Sequence, residues 1–126
     1  MGAGILMTDL LACSPTSKVI RLPVTDNVVR LPVTSFTSGQ FQIIRPEGWF
    51  YDIAVRKNNE DEYEALLLEC THQQNQLIVN QNGFKCILHG SQFDLDGRVV
   101  KGPAERALTR FFTRTDQGQV IIQLKS

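Results

Sequence analysis

A chain of 126 residues, 42% hydrophobic and 21% charged, has the size of one soluble globular domain with a modest core. Its 13 Lys+Arg balance its 13 Asp+Glu, and zero formal charge excludes a nucleic-acid or anionic-membrane binder that works by bulk charge. Three cysteines make no disulfide framework, and no stretch approaches the roughly 18 apolar residues of a membrane-spanning helix.

The N-terminal stretch Gly2-Ala3-Gly4-Ile5-Leu6-Met7-Thr8-Asp9-Leu10-Leu11-Ala12-Cys13 is apolar and rich in small residues. It lacks the basic start of a secretory signal, and Asp9 interrupts it. Leu10-Leu11-Ala12-Cys13 resembles a bacterial lipobox, whose cysteine becomes a lipid-bearing first residue after cleavage. Residues 1–17 therefore read as a tail with two meanings, a signal remnant ending in a lipidated Cys13 or a plain tail with a chance cysteine. A single acyl chain binds membrane only marginally, so an anchor at Cys13 needs further chains or partners. Residues 18–126 read as the folded domain.

From Lys18 the pattern turns β-like. Val19–Val24 and Val28–Val33 each contain Arg-Leu-Pro-Val. Proline cannot donate to a central ladder, which makes both runs edge strands or strand ends. Thr34 to Gln40 reads as a loop. Phe41–Ile44 is a short strand stopped by Pro46-Glu47-Gly48, and Trp49–Val55 is the next. Lys57 to Glu62 is a solvated hairpin loop. Tyr63–Glu69 has some helical propensity, but its length and its neighbours make it the strand that delivers Cys70. Leu77-Ile78-Val79 and Phe84-Lys85-Cys86 flank Asn80-Gln81-Asn82-Gly83, and Asn-Gly is a strong hairpin signal because both residues tolerate positive φ. Gln92–Val100 turns at Asp96-Gly97, Lys101-Gly102-Pro103-Ala104 is a loop, and Leu108–Leu124 is a last hairpin around Asp116-Gln117-Gly118. Regular short strands with no long helix argue an all-β, small antiparallel sandwich or barrel.

The chemistry concentrates between Glu69 and Ala104. Cys70-Thr71-His72 and Cys86-Ile87-Leu88-His89 hold both histidines of the chain and two of its three cysteines. Thiolate and imidazole suit soft or borderline metals, and two of each complete a four-ligand set. Two buried cysteines with two incidental histidines is the plainer alternative, and it does not account for the paired spacing. The Asn-Gly hairpin brings residues 70–72 and 86–89 side by side as two loops at one end of a sheet. Structural zinc would accept these donors, although its common spacing pairs Cys with Cys and His with His. Mononuclear copper normally uses one thiolate and two imidazoles. Mixed pairs suit a two-iron, two-sulfur cluster, with each loop offering Cys to an inner iron and His to an outer one. On that reading the cysteines lie deeper and the histidines nearer solvent.

With those residues in view, the chain resembles the Rieske iron–sulfur proteins over roughly residues 65 to 112. The likeness runs through Cys70-Thr71-His72, Cys86-Ile87-Leu88-His89-Gly90-Ser91-Gln92-Phe93-Asp94, Gly97-Arg98-Val99 and Gly102-Pro103-Ala104. It implies one [2Fe-2S] cluster per chain, on a tip of two loops spanning about residues 66–105. It implies Cys70 and Cys86 on the buried iron, His72 and His89 on the exposed iron, Ser91 hydrogen-bonding cluster or ligand sulfur, and Pro103 in a covering loop. Members from quinol-oxidising bc-type complexes add a disulfide between the loops, and the matching positions here are Asn75 and Leu88. Those members also carry a Tyr where this chain has Phe93. Fewer donors leave an added electron less stabilised, so we expect a potential in the lower half of the Rieske range of roughly −150 to +300 mV. Leu88 and Phe93 together resemble the Rieske-type ferredoxins more than the quinol-linked proteins.

Nothing else in the chain suggests turnover. Both histidines are committed, so neither a mononuclear iron site nor a nucleophile–base pair can be built from them, and no residue is expected to be catalytic. Asp94 and Asp96 read as turn formers, and Trp49 and the phenylalanines as core. Three functions follow. The first is one-electron transfer, as carrier or subunit of a redox system, on the bacterial envelope or periplasmic face and lipid-anchored if Cys13 is modified. The second is a cytoplasmic ferredoxin feeding an oxygenase. The third is a structural zinc module for protein interaction. A redox partner protein would dock at the His72/His89 tip, without nucleic acid. The polar Gln73 and Gln74 fit a quinone pocket poorly.

Overall fold

The computed structural model describes residues 18–37, 40–58 and 62–125. Cys13 and the lipobox-like stretch lie outside the described residues, as does the centre of the 57–62 loop. Among the described residues eleven strands form two sheets. The larger runs β1 (Ile20–Leu22), β3 (Phe41–Pro46), β4 (Ile53–Lys57), β5 (Tyr63–Leu67), β10 (Arg110–Asp116), β11 (Gln119–Gln123), β2 (Val28–Pro32). The smaller runs β6 (Ile78–Asn80), β7 (Gly83–Lys85), β8 (Gln92–Asp94), β9 (Val99–Lys101). The chain is all-β, as its short alternating strands led us to expect.

β1, which stops just before Pro23, and β2, which ends at Pro32, are the two end strands of the larger sheet, where a missing N–H costs no ladder bond. β1 pairs with β3 in parallel, and the other strand pairs in both sheets are antiparallel. Tyr63–Leu67 is strand despite its helical propensity, because pairing with β4 on one side and β10 on the other buries it. β4 starts later than expected, at Ile53, since Trp49 to Asp52 are taken up by the turn after Pro46.

β4 and β5 divide two cores. Side chains alternate across a strand, so Ile53, Val55, Tyr63 and Ala65 face one core with Val29, Leu31, Val120 and Ile122. Ala54, Leu66 and Leu68 face the other, with Leu77, Phe84, Phe93, Cys70 and Cys86. Burial on both faces explains the unbroken apolar runs Ile53-Ala54-Val55 and Ala65-Leu66-Leu67-Leu68. The second core carries the ligand loops.

Two sequence expectations need correction. In the hairpin between the loops Asn80 pairs with Gly83, so the turn residues are Gln81 and Asn82 rather than Asn82-Gly83. Gly83 opens β7 instead, at φ 149°, where a Cβ would overlap the Phe93 carbonyl oxygen. Glycine there permits close approach of two backbones. Nor are all the phenylalanines core: Phe50 is 84% exposed and Phe112 is 68% exposed.

Candidate metal centre

The two cysteine–histidine segments are built on one backbone plan. The Cys70 N–H donates to the Asn75 carbonyl at 2.8 Å, and the Gln74 N–H returns to the Cys70 carbonyl at 2.8 Å. In the second loop the Cys86 N–H donates to Ser91 at 2.9 Å, and the Gly90 N–H returns to Cys86 at 3.0 Å. Gln74 at φ 53° and Gly90 at φ 83° turn the chain at equivalent points. Each loop therefore presents its cysteine from a closed turn, with the histidine two or three residues further on. The first loop leaves β5 through Leu68, whose carbonyl accepts from the Leu77 N–H at 3.0 Å. The second leaves β7 directly, and β7 pairs with β8 beyond it.

Depth separates the donors. Cys70 and Cys86 are each 1% exposed, at the edge of the core that holds Leu68, Leu77, Phe84 and Phe93. His72 and His89 are exposed, their ring centroids 5.4 Å apart and their planes at 84°. Burial pushes the Cys70 thiol up, yet the N–H groups of Gln73 and His72 and the side chains of Cys86 and Ser91 more than offset it. The net direction is down, toward the thiolate a metal requires. The His72 N–H lies 3.4 Å from Cys70 Sγ, a bond that favours the same form. Both described cysteines are free thiols. Asn75 and Leu88, which the resemblance matches to the cross-linking cysteines of bc-type members, cannot form that bond.

Ser91 is fully buried, and its hydroxyl oxygen accepts the Ala104 N–H at 3.0 Å. That bond ties the Gly102-Pro103-Ala104 loop to the second ligand loop, with Pro103 exposed and Ala104 buried. Accepting through its oxygen leaves the Ser91 proton free to donate to sulfur. Phe93 is 2% exposed within the same core and offers no donor. The neighbouring Asp94 closes the β8–β9 turn, its Oδ1 accepting from the Asp96 and Arg98 N–H groups, each at 2.9 Å.

Sequence reasoning missed three residues that hold the first loop. The Tyr51 hydroxyl donates to the Gln74 carbonyl. Gln76 Oε1 accepts the Asp52 N–H at 3.1 Å. Arg106 and Thr71 make two bonds to each other, from the Thr71 hydroxyl to the Arg106 carbonyl at 2.7 Å and from the guanidinium to the Thr71 carbonyl at 3.2 Å. The sequence carried no signal for the long-range bonds: Tyr51 and Arg106 lie 23 and 35 positions from the residues they bind.

The donor set fits a binuclear cluster. Two thiolates lie inside and two imidazoles outside, so neighbouring irons of different depth would each receive a like pair. Structural zinc asks for four donors around one ion.

A profile of the Rieske [2Fe-2S] domain matches residues 28–112. The chain belongs to this family, and its cofactor is a [2Fe-2S] cluster. A [2Fe-2S] cofactor leaves no place for the zinc-module reading. Among similar proteins is the cytochrome b6-f complex iron-sulfur subunit 1 of Nostoc sp. strain PCC 7120, 40% identical over 42 residues. That match takes in 33% of this chain and 24% of the relative, so it spans about a quarter of the curated protein. The cyanobacterial plasma membrane Rieske protein of Synechocystis PCC 6803 shares the fold at a TM-score of 0.50 and 22% identity, over 76% of this chain and 85% of that one. The ferredoxin of carbazole 1,9a-dioxygenase from Nocardioides aromaticivorans shares it at 0.56 and 17%, over 79% and 100%.

Proposed function

We propose that Cys70 and Cys86 hold the inner iron of the cluster and His72 and His89 the outer iron, and that a redox partner protein docks at the histidine tip. The observation that carries this is the split in depth: both thiols nearly sealed in the core, both imidazoles in solvent and 5.4 Å apart. When bound, the cluster supplies a one-electron couple without covalent change. The protein's own residues do the rest. Leu68, Leu77, Phe84 and Phe93 exclude water from beneath the thiolates. Ser91 donates its remaining proton to sulfur and stabilises added negative charge. The exposed imidazoles place the outer iron within reach of a docked partner. Ile87 at 67% and Leu88 at 56% exposure give that tip an apolar rim beside the polar Gln73 and Gln74.

Iron and sulfide analysis of the purified chain, with electron-spin-resonance detection of two coupled histidine nitrogens, tests the ligand set. Two irons, two sulfides and both nitrogens are expected. Zinc, or a cluster without nitrogen couplings, overturns it. The midpoint belongs in the lower half of the family's range of roughly −150 to +300 mV, because Phe93 removes a donor. A value near the top of that range rejects this account of the site.

For the whole protein we favour a carrier or subunit of an envelope redox system over a cytoplasmic ferredoxin. Its support is the lipobox-like Leu10-Leu11-Ala12-Cys13 and the likeness to a subunit of a cytochrome complex. No helix among the described residues is long and apolar enough to cross a membrane. Mass spectrometry of the protein from membrane fractions would reveal a lipidated Cys13. An intact unmodified N-terminus in the soluble fraction would favour the ferredoxin reading.

A further inference from the structure

Residues 104 to 106 touch both ligand loops. The Ala104 N–H binds Ser91 of the second loop, and Arg106 exchanges two hydrogen bonds with Thr71 of the first. Thr71 stands between Cys70 and His72, so the guanidinium is held within one residue of two proposed iron ligands. The ion pairs among the described residues engage Arg45, Arg56 and Arg110, and Arg106 takes part in none of them. Its charge is thus held against the first loop, with no ion-pair partner among the described residues.

We propose that Arg106 is a positioning residue that raises the midpoint potential of this protein. This rests on the ligand set proposed above. Reduction adds one negative charge to the site, and a fixed positive charge beside the first loop stabilises the reduced form more than the oxidised form. The Thr71 hydroxyl keeps the arginine backbone in register, and the guanidinium returns the bond to the carbonyl between the two ligands. A long side chain left free in solvent would spread its charge over many rotamers. Here the bond to the Thr71 carbonyl favours one arrangement. The two loops, which lack a covalent cross-link, are also braced through this same segment.

Redox titration of the full chain carrying R106K and R106Q tests the assignment. Glutamine can still donate to a carbonyl but is neutral, whereas lysine keeps the charge. At low ionic strength R106Q should hold its electron up to about tenfold less tightly, a fall of about 59 mV for a one-electron couple. R106K should stay close to the wild-type value. Raising the salt from about 0.01 M to 1 M shrinks the screening length from about 30 Å to about 3 Å, which should bring wild type and R106Q together. An R106Q midpoint equal to wild type at low salt overturns the proposal, and so does an R106K midpoint that falls as far as R106Q. Should R106Q not assemble, the R106K chain still decides: its midpoint must fall as salt rises, and a flat response overturns the proposal. A wild-type spectrum without two histidine nitrogens sinks the ligand set itself. An intact spectrum with an unmoved midpoint sinks Arg106 alone.

Discussion

The two ligand loops share a backbone and differ in what supports it. Both close with a cysteine N–H bonded five residues on and a cysteine carbonyl bonded four residues on. The first loop turns at Gln74, a residue that pays for a left-handed conformation, and is gripped from outside by Tyr51 and Arg106. The second turns at Gly90, is unstrained there, and is gripped from inside by the buried Ser91. A common frame places the thiols at matching depth, and the surroundings then set how firmly each loop is held. Ligand geometry and ligand rigidity are therefore separable in this protein.

Breaking the common frame should have the largest effect. Cys70→Ser and Cys86→Ser should each abolish the cluster if each thiol is the inner donor of its loop, as proposed above. Absorbance and iron content of the purified variants measure this, and a variant with a full cluster would show that the loops are not equivalent. Next is the floor beneath the second loop. Phe84 is 1% exposed and meets Phe41 edge to face at 5.4 Å. Phe84→Ala should cost about 3–5 kcal/mol in chemical denaturation. A loss under about 1 kcal/mol would mean that the small sheet is not packed as described.

The cofactor was legible in the sequence because its signal is local: two short motifs carry all four proposed donors. The edge strands were legible through Pro23 and Pro32, and the later hairpins through Gly97 and Gly118. The bonds that support the loops were not. Thr71 and Arg106 lie 35 positions apart, Tyr51 and Gln74 23 apart, and no periodicity links such pairs. The parallel pairing of β1 with β3 was hidden for the same reason. Gly83 was noticed for the wrong cause, since a turn and a close backbone contact both select glycine.

Equivalent positions with unequal roles sharpen the comparison. Ser91 and Asn75 both end their loops, yet Ser91 is buried under Ala104 while the Asn75 amide only donates to the Gln73 carbonyl at 3.2 Å. Ser91→Ala leaves a buried N–H without its acceptor and should cost about 1–3 kcal/mol. It should also lower the midpoint potential by removing a donor to sulfur. Asn75→Ala should stay within about 0.5 kcal/mol. Equal losses at the two positions would refute the division into inside and outside support.

At the two turn residues the signs should be opposite. Gly90 has φ 83° with nothing near where a Cβ would go, so Gly90→Ala meets backbone strain and no clash. Its expected cost is about 1–2 kcal/mol. Gln74→Gly removes strain of the same kind at φ 53°. Against that gain of about 1–2 kcal/mol stands the extra unfolded-state freedom of glycine, about 0.5–1 kcal/mol. The net should be a stabilisation of no more than about 1.5 kcal/mol, read as a shift of the denaturation midpoint. The Gln74 carbonyl that Tyr51 binds is retained in Gln74→Gly, so no hydrogen bond is lost to mask the result. A destabilised Gln74→Gly would mean that the glutamine side chain itself supports the first loop.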